Sequence, residues 1–183
     1  MINKVLKESG YDEAALGFAL SYNSTVERAK ELFPKYAFGK SGETKFLESI
    51  YIWLDIIAPL FFWSEADTYR IASKQSQSTM HTITKRFLTQ EDFEYHINDD
   101  YLIRINEAIS LYNQKPPERD ILFFHIKNSL PSGFLQRRIW CINYRCFQNI
   151  YNQRIDHRLI QWKYFCEDIL KRIEHPEFIK KEK

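Results

Sequence analysis

The sequence predicts an α/β domain, and three observations carry that expectation. Glu48 to Ile56 alternates, with Ile50, Ile52, Leu54 and Ile56 on one face and Tyr51, Trp53 and Asp55 on the other. That is the two-residue period of a half-buried strand, in a stretch of high β-propensity. A second, shorter strand, Arg137 to Ile142, runs into Asn143, a residue type suited to capping the helix that follows. Runs of helical period lie around these strands, as in Tyr101 to Tyr112, where Leu102, Ile105, Ile109 and Tyr112 share a face.

The remaining elements follow in order. Asp12 is placed to cap a helix from Glu13 to about Tyr22. Ser24-Thr25-Val26-Glu27 has capping-box spacing and opens a second helix that must end near Pro34. Gly39 to Gly42 is a loop. Ala58-Pro59 suits a helix start, with Pro59 in the first turn and Leu60, Phe61, Phe62 and Trp63 as its buried beginning. Thr89 to Asp92 caps another short helix, and Pro116-Pro117 ends the one over Tyr101 to Tyr112. Asp120 to Asn128 fits helix or strand, with helix preferred, and Leu130-Pro131-Ser132-Gly133 is a turn. Asp156 is a candidate cap for the last helix, in which Trp162, Cys166, Ile169 and Ile173 form the core stripe and which Pro176 closes. No repeat or second-domain boundary is visible, so residues 1–183 read as one domain with 175–183 as a frayed tail.

Composition narrows the function classes. The 183 residues are 44% hydrophobic and 16% aromatic, enough for a real core. A net charge of only +2 argues against a protein that coats nucleic acid. Its distribution is uneven: Arg137, Arg138, Arg145, Arg154, Arg158 and Lys163 face the single acid Asp156 between Leu135 and Lys163. Between Thr89 and Glu107, Glu91, Asp92, Glu94, Asp99, Asp100 and Glu107 stand against Arg104. Such segments build a focused anion site, or else two solvated faces or a subunit contact. Cys141, Cys146 and Cys166 are odd in number and lack a CxxC pair, which suits reduced, packed thiols of a cytoplasmic protein. No run of about 18 apolar residues predicts a membrane span, and the start lacks the apolar stretch of a secretory signal.

Two stretches carry the functional signal. One is Tyr69-Arg70-Ile71-Ala72-Ser73-Lys74-Gln75-Ser76-Gln77-Ser78; the other is Asn143-Tyr144-Arg145 with Asn149 and Arg154. Guanidinium, hydroxyl and amide groups at short intervals suit phosphate oxygens and nucleobase edges. The plain alternatives are a polar helix end with serine caps and a surface helix making salt bridges. Arg145 and Asn149 are four apart, so they meet on one helical face. His81, His96, His125 and His157 have no metal-ligand spacing, no serine stands in a GxSxG elbow, and neither GxGxxG nor a Walker loop is present. No metal is expected, and Asp99-Asp100 reads as a solvated loop rather than an acid–base couple.

Taken together, the two stretches resemble the flavin-dependent thymidylate synthases. The signature of that family is Arg-His-Arg-x-x-Ser-x-Asn-x-x-Ser-x-Arg. Its third residue falls on Arg70 and its serines on Ser73 and Ser78. The family's upstream Ala-Pro is matched by Ala58-Pro59, and a basic residue followed by Leu-Pro is matched by Lys127 and Leu130-Pro131. Its Asn-x-Arg, the asparagine four beyond that arginine and the last arginine fall on Asn143, Arg145, Asn149 and Arg154 without a gap. The match covers roughly Glu48 to Trp162.

The resemblance implies an α/β fold with a mixed central sheet flanked by helices, assembled as a homotetramer with sites between subunits. It implies FAD contacts from Arg70, Ile71, Asn143, Arg145 and Asn149. Contacts to deoxyuridine monophosphate are implied for Ser73, Ser78, Lys127 and Arg154, with Arg154 as the catalytic group that polarises the base. NADPH and methylene-tetrahydrofolate enter only if the chain is active. The departures are Thr68-Tyr69 for the leading Arg-His, Gln75 for the asparagine, Ser76 for the acid after it, and Met80 for the closing arginine, with His81 after it in place of a tyrosine; Ser49 stands where a histidine is expected. Each lost arginine removes a charge-assisted contact of about 1.5–3 kcal/mol. The chain resembles the small, diverged members carried by phages, which would place it in the host cytoplasm. The other reading is a non-catalytic protein on the same scaffold that binds or sequesters a nucleotide or nucleotide signal.

Overall fold

Residues 1–39 and 41–181 are described by a computed structural model of the chain. In chain order the elements are β1 (Ile2–Ser9), α1 (Tyr11–Ser21), α2 (Val26–Tyr36), α3 (Phe46–Ser49), β2 (Tyr51–Pro59), α4 (Leu60–Ala66), β3 (Ala72–Ser76), α5 (Thr79–Thr82), α6 (Asp99–Asn113), α7 (Arg119–Asn128), β4 (Leu135–Asn143), α8 (Tyr144–Arg154) and α9 (Ile160–Leu170). Single 3-10 turns occupy Ser41–Lys45, Gln90–Asp92 and Pro176–Phe178. The strands form one sheet in the order β1-β2-β4-β3. The expected α/β class holds. The sheet is antiparallel where the resemblance implied mixed directions. The amide of Tyr144, just past β4, donates to Ile50 O, just before β2, at 2.9 Å, so the end of one strand faces the start of the other.

β2 is the clearest product of its own sequence. Ile50, Ile52, Leu54 and Ile56 are all 1% exposed or less, while Tyr51 and Trp53 are exposed. The strand begins later than expected, because Phe46–Ser49 makes a helical turn first, and it keeps Pro59 as its last residue rather than giving it to α4. β1 has no counterpart among the sequence expectations. Ile2 and Leu6 are exposed and Lys4 and Lys7 interrupt the apolar residues, so no buried alternation marks it. It is an edge strand, where lysines are ordinary. β3, the other edge, is equally polar.

Several helix ends differ from expectation. Gly10 precedes α1 in place of Asp12, at φ 94°. A Cβ there would stand 2.1 Å from Ser49 O, so glycine alone fits both the left-handed turn and the close approach. Asp12 sits in the first turn and pairs with Lys30 instead. Thr25, not Ser24, caps α2 by accepting from the Arg28 amide at 3.2 Å. That helix continues past Pro34 to Tyr36, because a proline in the last turn removes a single bond. Asp156 does not cap α9; Leu159 occupies that position, and its amide donates to His157 Nδ1 at 3.2 Å. The frayed tail expected from residue 175 is packed as far as Ile179. Phe178 and Ile179 are buried, and His175 stacks on Tyr11 at 4.1 Å.

The chain divides into two compact units, one of Met1, 57–66 and 76–138, the other of 2–56, 67–75 and 139–183. The first is built around α6 and α7, with Ile105, Ala108, Ile109 and Ile126 packed on Ile83, Leu88, Phe93 and Phe134. The face of Leu102, Ile105, Ile109 and Tyr112 read from the sequence is the face turned to this cluster. The second unit buries Ile50, Ile52, Ile56 and Trp140, with Trp162, Cys166 and Ile169 of α9 and Ile173 beyond that helix's end. Phe33 stacks on Phe46 at 3.9 Å, and Phe178 meets both edge-on. Among the described residues no helix is long and apolar enough to cross a membrane.

Candidate functional site

α8 is set in place by its first residues and by one buried glutamine. The Asn143 Oδ1 accepts from the Cys146 amide at 2.8 Å, and its Nδ2 donates to Glu48 O at 3.1 Å. Gln148, 5% exposed, donates from Nε2 to Ala37 O at 3.0 Å and to Phe178 O at 2.7 Å. Its Oε1 accepts from Arg145 Nη1 at 2.9 Å. The glutamine thus ties the helix to the second unit's interior and aims the arginine.

The outer side of α8 and the segment before β3 enclose a cavity of about 630 Å³ in this unit. Arg145, Cys146, Gln148, Asn149 and Asn152 line it from the helix; Thr68, Tyr69, Arg70 and Ile71 line it from the segment, and Glu48 completes the wall. Four residues expected to contact a flavin, Arg70, Ile71, Arg145 and Asn149, therefore share one cavity although the two groups lie far apart in sequence. Two guanidinium groups and amide donors suit an anion and acceptor edges of a ring. Glu48 disfavours a phosphate against its own side of the wall.

The fifth, Asn143, does not reach this cavity. It is 4% exposed, and both ends of its amide are used within the backbone. Arg154, the last residue of α8, donates from Nε to Tyr69 Oη at 2.9 Å, and its Nη1 lies 2.8 Å from His157 Nε2. Its guanidinium stands over the Trp162 ring at 5.1 Å. Ser73 is exposed on β3 in the same unit. Ser78 and Lys127 belong to the other unit. There Ser78 precedes α5, and the Lys127 ammonium donates to the hydroxyl of Thr79, the next residue.

Burial raises all three cysteine thiols above their ordinary value. Burial pushes the Cys146 thiol in the cavity wall up to about 11, Lys74 working weakly the other way, and pushes Cys166 up to about 12. Tyr69 enters the sequence reading only as the residue at the signature histidine, and Gln148 and Gln153 do not enter it. The one signal for the two glutamines is spacing on α8, where Gln148 is three beyond Arg145 and Gln153 four beyond Asn149.

No family model matches the chain, and no curated protein matches it in sequence. Solved structures do match. Flavin-dependent thymidylate synthase ThyX from Helicobacter pylori, complexed with FAD and dUMP, aligns with a TM-score of 0.75 at 18% identity, over 98% of this chain and 98% of that one. A second structure of Helicobacter pylori ThyX with FAD and dUMP, at 2.31 Å resolution, gives 0.75 at 16% identity over 99% and 98%. At these identities the shared property is the fold, and the chain has the ThyX-like α/β fold over nearly its whole length.

Proposed function

We propose that the chain is a thymidylate-synthase-like protein that binds FAD and a pyrimidine nucleotide such as dUMP, and that in its active form it places a one-carbon unit on that nucleotide. The observation that carries this reading is the convergence of Arg70, Ile71, Arg145 and Asn149 on one cavity. The structures that share the fold contain FAD and dUMP, which supports the choice of ligands. Arg145, aimed by Gln148, and Arg70 would hold flavin phosphate or acidic ring edges, and Asn149 would orient the ring. Arg154 would polarise a uracil carbonyl, with Ser73, Ser78 and Lys127 on the phosphate. When bound, the flavin supplies the transfer of the one-carbon unit from methylene-tetrahydrofolate, with NADPH as reductant. This reading requires no protein nucleophile. The reading includes a single functional domain, assembly as a homotetramer and a phage-type member in the host cytoplasm.

A second reading, a non-catalytic nucleotide binder, is favoured by one site feature. Met80 stands at the closing-arginine position and is 57% exposed, offering no charge there. One experiment addresses both. Purified protein is mixed with FAD, gel-filtered and scanned, and dUMP binding is measured by calorimetry on the wild type and Arg154→Ala. Retained blue absorbance, with dUMP binding lost in the variant, is the expected result. A colourless protein that still binds dUMP selects the second reading. Wild-type dUMP affinity in Arg154→Ala would show that the nucleotide site is misassigned.

A further inference from the structure

We propose that Tyr69 is the positioning residue for Arg154, through a one-way hydrogen-bond chain that ends on the cavity wall at Asn149. The proposal rests on the assignment of Arg154 to the nucleotide. The chain has three links: Arg154 Nε donates to Tyr69 Oη at 2.9 Å, Tyr69 Oη donates to Gln153 Oε1 at 3.0 Å, and Gln153 Nε2 donates to Asn149 Oδ1 at 3.0 Å. Its direction is dictated by its first member. A guanidinium only donates, so the phenol oxygen must accept and give its single proton onward. Gln153 must then present its carbonyl to Tyr69 and its amino group to Asn149. The carbonyl of Asn149 accepts in turn, which fixes the orientation of its amide and leaves both amino protons for a ligand. The donor-only guanidinium of Arg154 thereby sets which way the Asn149 amide is turned in the cavity wall.

The ring of Tyr69 adds a second restraint. It meets Trp162 edge-on at 5.9 Å, and the Arg154 guanidinium stands 5.8 Å from Tyr69 and 5.1 Å from Trp162. An aromatic corner of this kind holds a cation by its ring faces. Tyr69 is 8% exposed and is a residue of the cavity wall, and its hydroxyl meets Arg154. It occupies the signature position at which the resemblance led us to expect histidine, and an imidazole is shorter than a phenol. The substitution that reads as a loss in the sequence supplies the linking contact in the structure. Because Asn149 and Arg154 share one chain, a ligand on either biases the geometry of the other, and the coupling between FAD and dUMP is reciprocal.

The test uses the whole chain and Tyr69→Phe, which keeps the ring and removes the hydroxyl. By NMR on arginine-labelled protein without ligand, the Arg154 Nε–H is expected to exchange at least about tenfold faster in Tyr69→Phe. By calorimetry the dUMP dissociation constant should rise about tenfold, equivalent to about 1.4 kcal/mol, with FAD affinity changed less than about threefold. Tyr69→Phe added to Arg154→Ala should cost no further dUMP affinity, since the group it positions is gone. Gln153 is exposed, so Gln153→Met breaks the next link without disturbing the core and should show the same pattern at smaller size. Equal Nε–H exchange, equal dUMP affinity in Tyr69→Phe, or a full additive loss in the double variant each overturns the proposal and leaves the functional assignment standing. Unchanged dUMP affinity in Arg154→Ala alone overturns that assignment and the positioning role with it.

Discussion

Asn143 and Arg145 are two positions apart and carry the same kind of signal in the sequence, yet they do different work. Asn143 spends its amide on the Cys146 amide and on Glu48 O, whereas Arg145 faces the cavity. A polar residue of a short motif can serve by holding the backbone that presents its neighbour. Asn143→Ala should cost about 1–3 kcal/mol, from loss of the cap and of the bond to Glu48 O, read as a lower urea midpoint. Where the variant remains folded it should still bind FAD within a few fold of wild type. A large loss of FAD affinity at unchanged stability would return Asn143 to the ligand-contacting set. Spacing places Arg145 and Asn149 together, since an α-helix repeats every 3.6 residues. No local rule shows which polar groups are used inwardly, because Glu48 lies 95 residues from Asn143.

Elements differ in how openly they are written. β2 and α6 are legible because each buries one face and exposes the other, and Thr89 to Asp92 because a cap is local; α7 fits helix or strand in the sequence because Ile126 is its one buried residue. In the structure the cap is a capping box: Asp92 accepts from the Thr89 amide at 2.8 Å and from Arg86 Nη1 at 2.8 Å. Burial works to raise the Asp92 carboxyl, but its bonds to Arg86 and Thr89 outweigh that and hold it below the ordinary value. A carboxyl lowered in the folded state stays ionised there after the unfolded chain has taken up its proton. Its stabilisation is therefore present above the unfolded value, near 3.8, and lost as pH falls through the lower folded value. Asp92→Asn should lower the urea midpoint at pH 6 and narrow the gap from wild type progressively below pH 4 (about the unfolded carboxyl range). A gap of equal size at both pH values would remove the charge from the explanation. β1 and β3 are illegible for the opposite reason, since edge strands with exposed faces show no alternation of burial.

At the scale of the whole molecule, burial is arranged by segments remote in sequence. Phe178 is fully buried against Phe33, Phe46 and Tyr144, so the last turn of the chain belongs to the second unit's core. Phe178→Ala should cost about 3–5 kcal/mol, read as loss of cooperative unfolding or a much lower midpoint. A variant within about 0.5 kcal/mol of wild type would mean that the tail contributes no packing. The charged end of the sequence suggests fraying from residue 175, because composition reports the surface of a segment and not the pocket into which it fits.

Periodicity, capping residues and short spacings were sufficient for the α/β class, the buried face of β2, the α6 and α9 stripes, and the pairing of Arg145 with Asn149. These are local properties, set by backbone geometry over a few residues. Tertiary packing decided that Arg70 and Ile71 share a cavity with Arg145 and Asn149, that Asn143 turns inward, and that Tyr69 reaches Arg154. Those outcomes depend on contacts across 75 to 95 residues of chain, and such contacts form only when buried apolar surface brings the segments together.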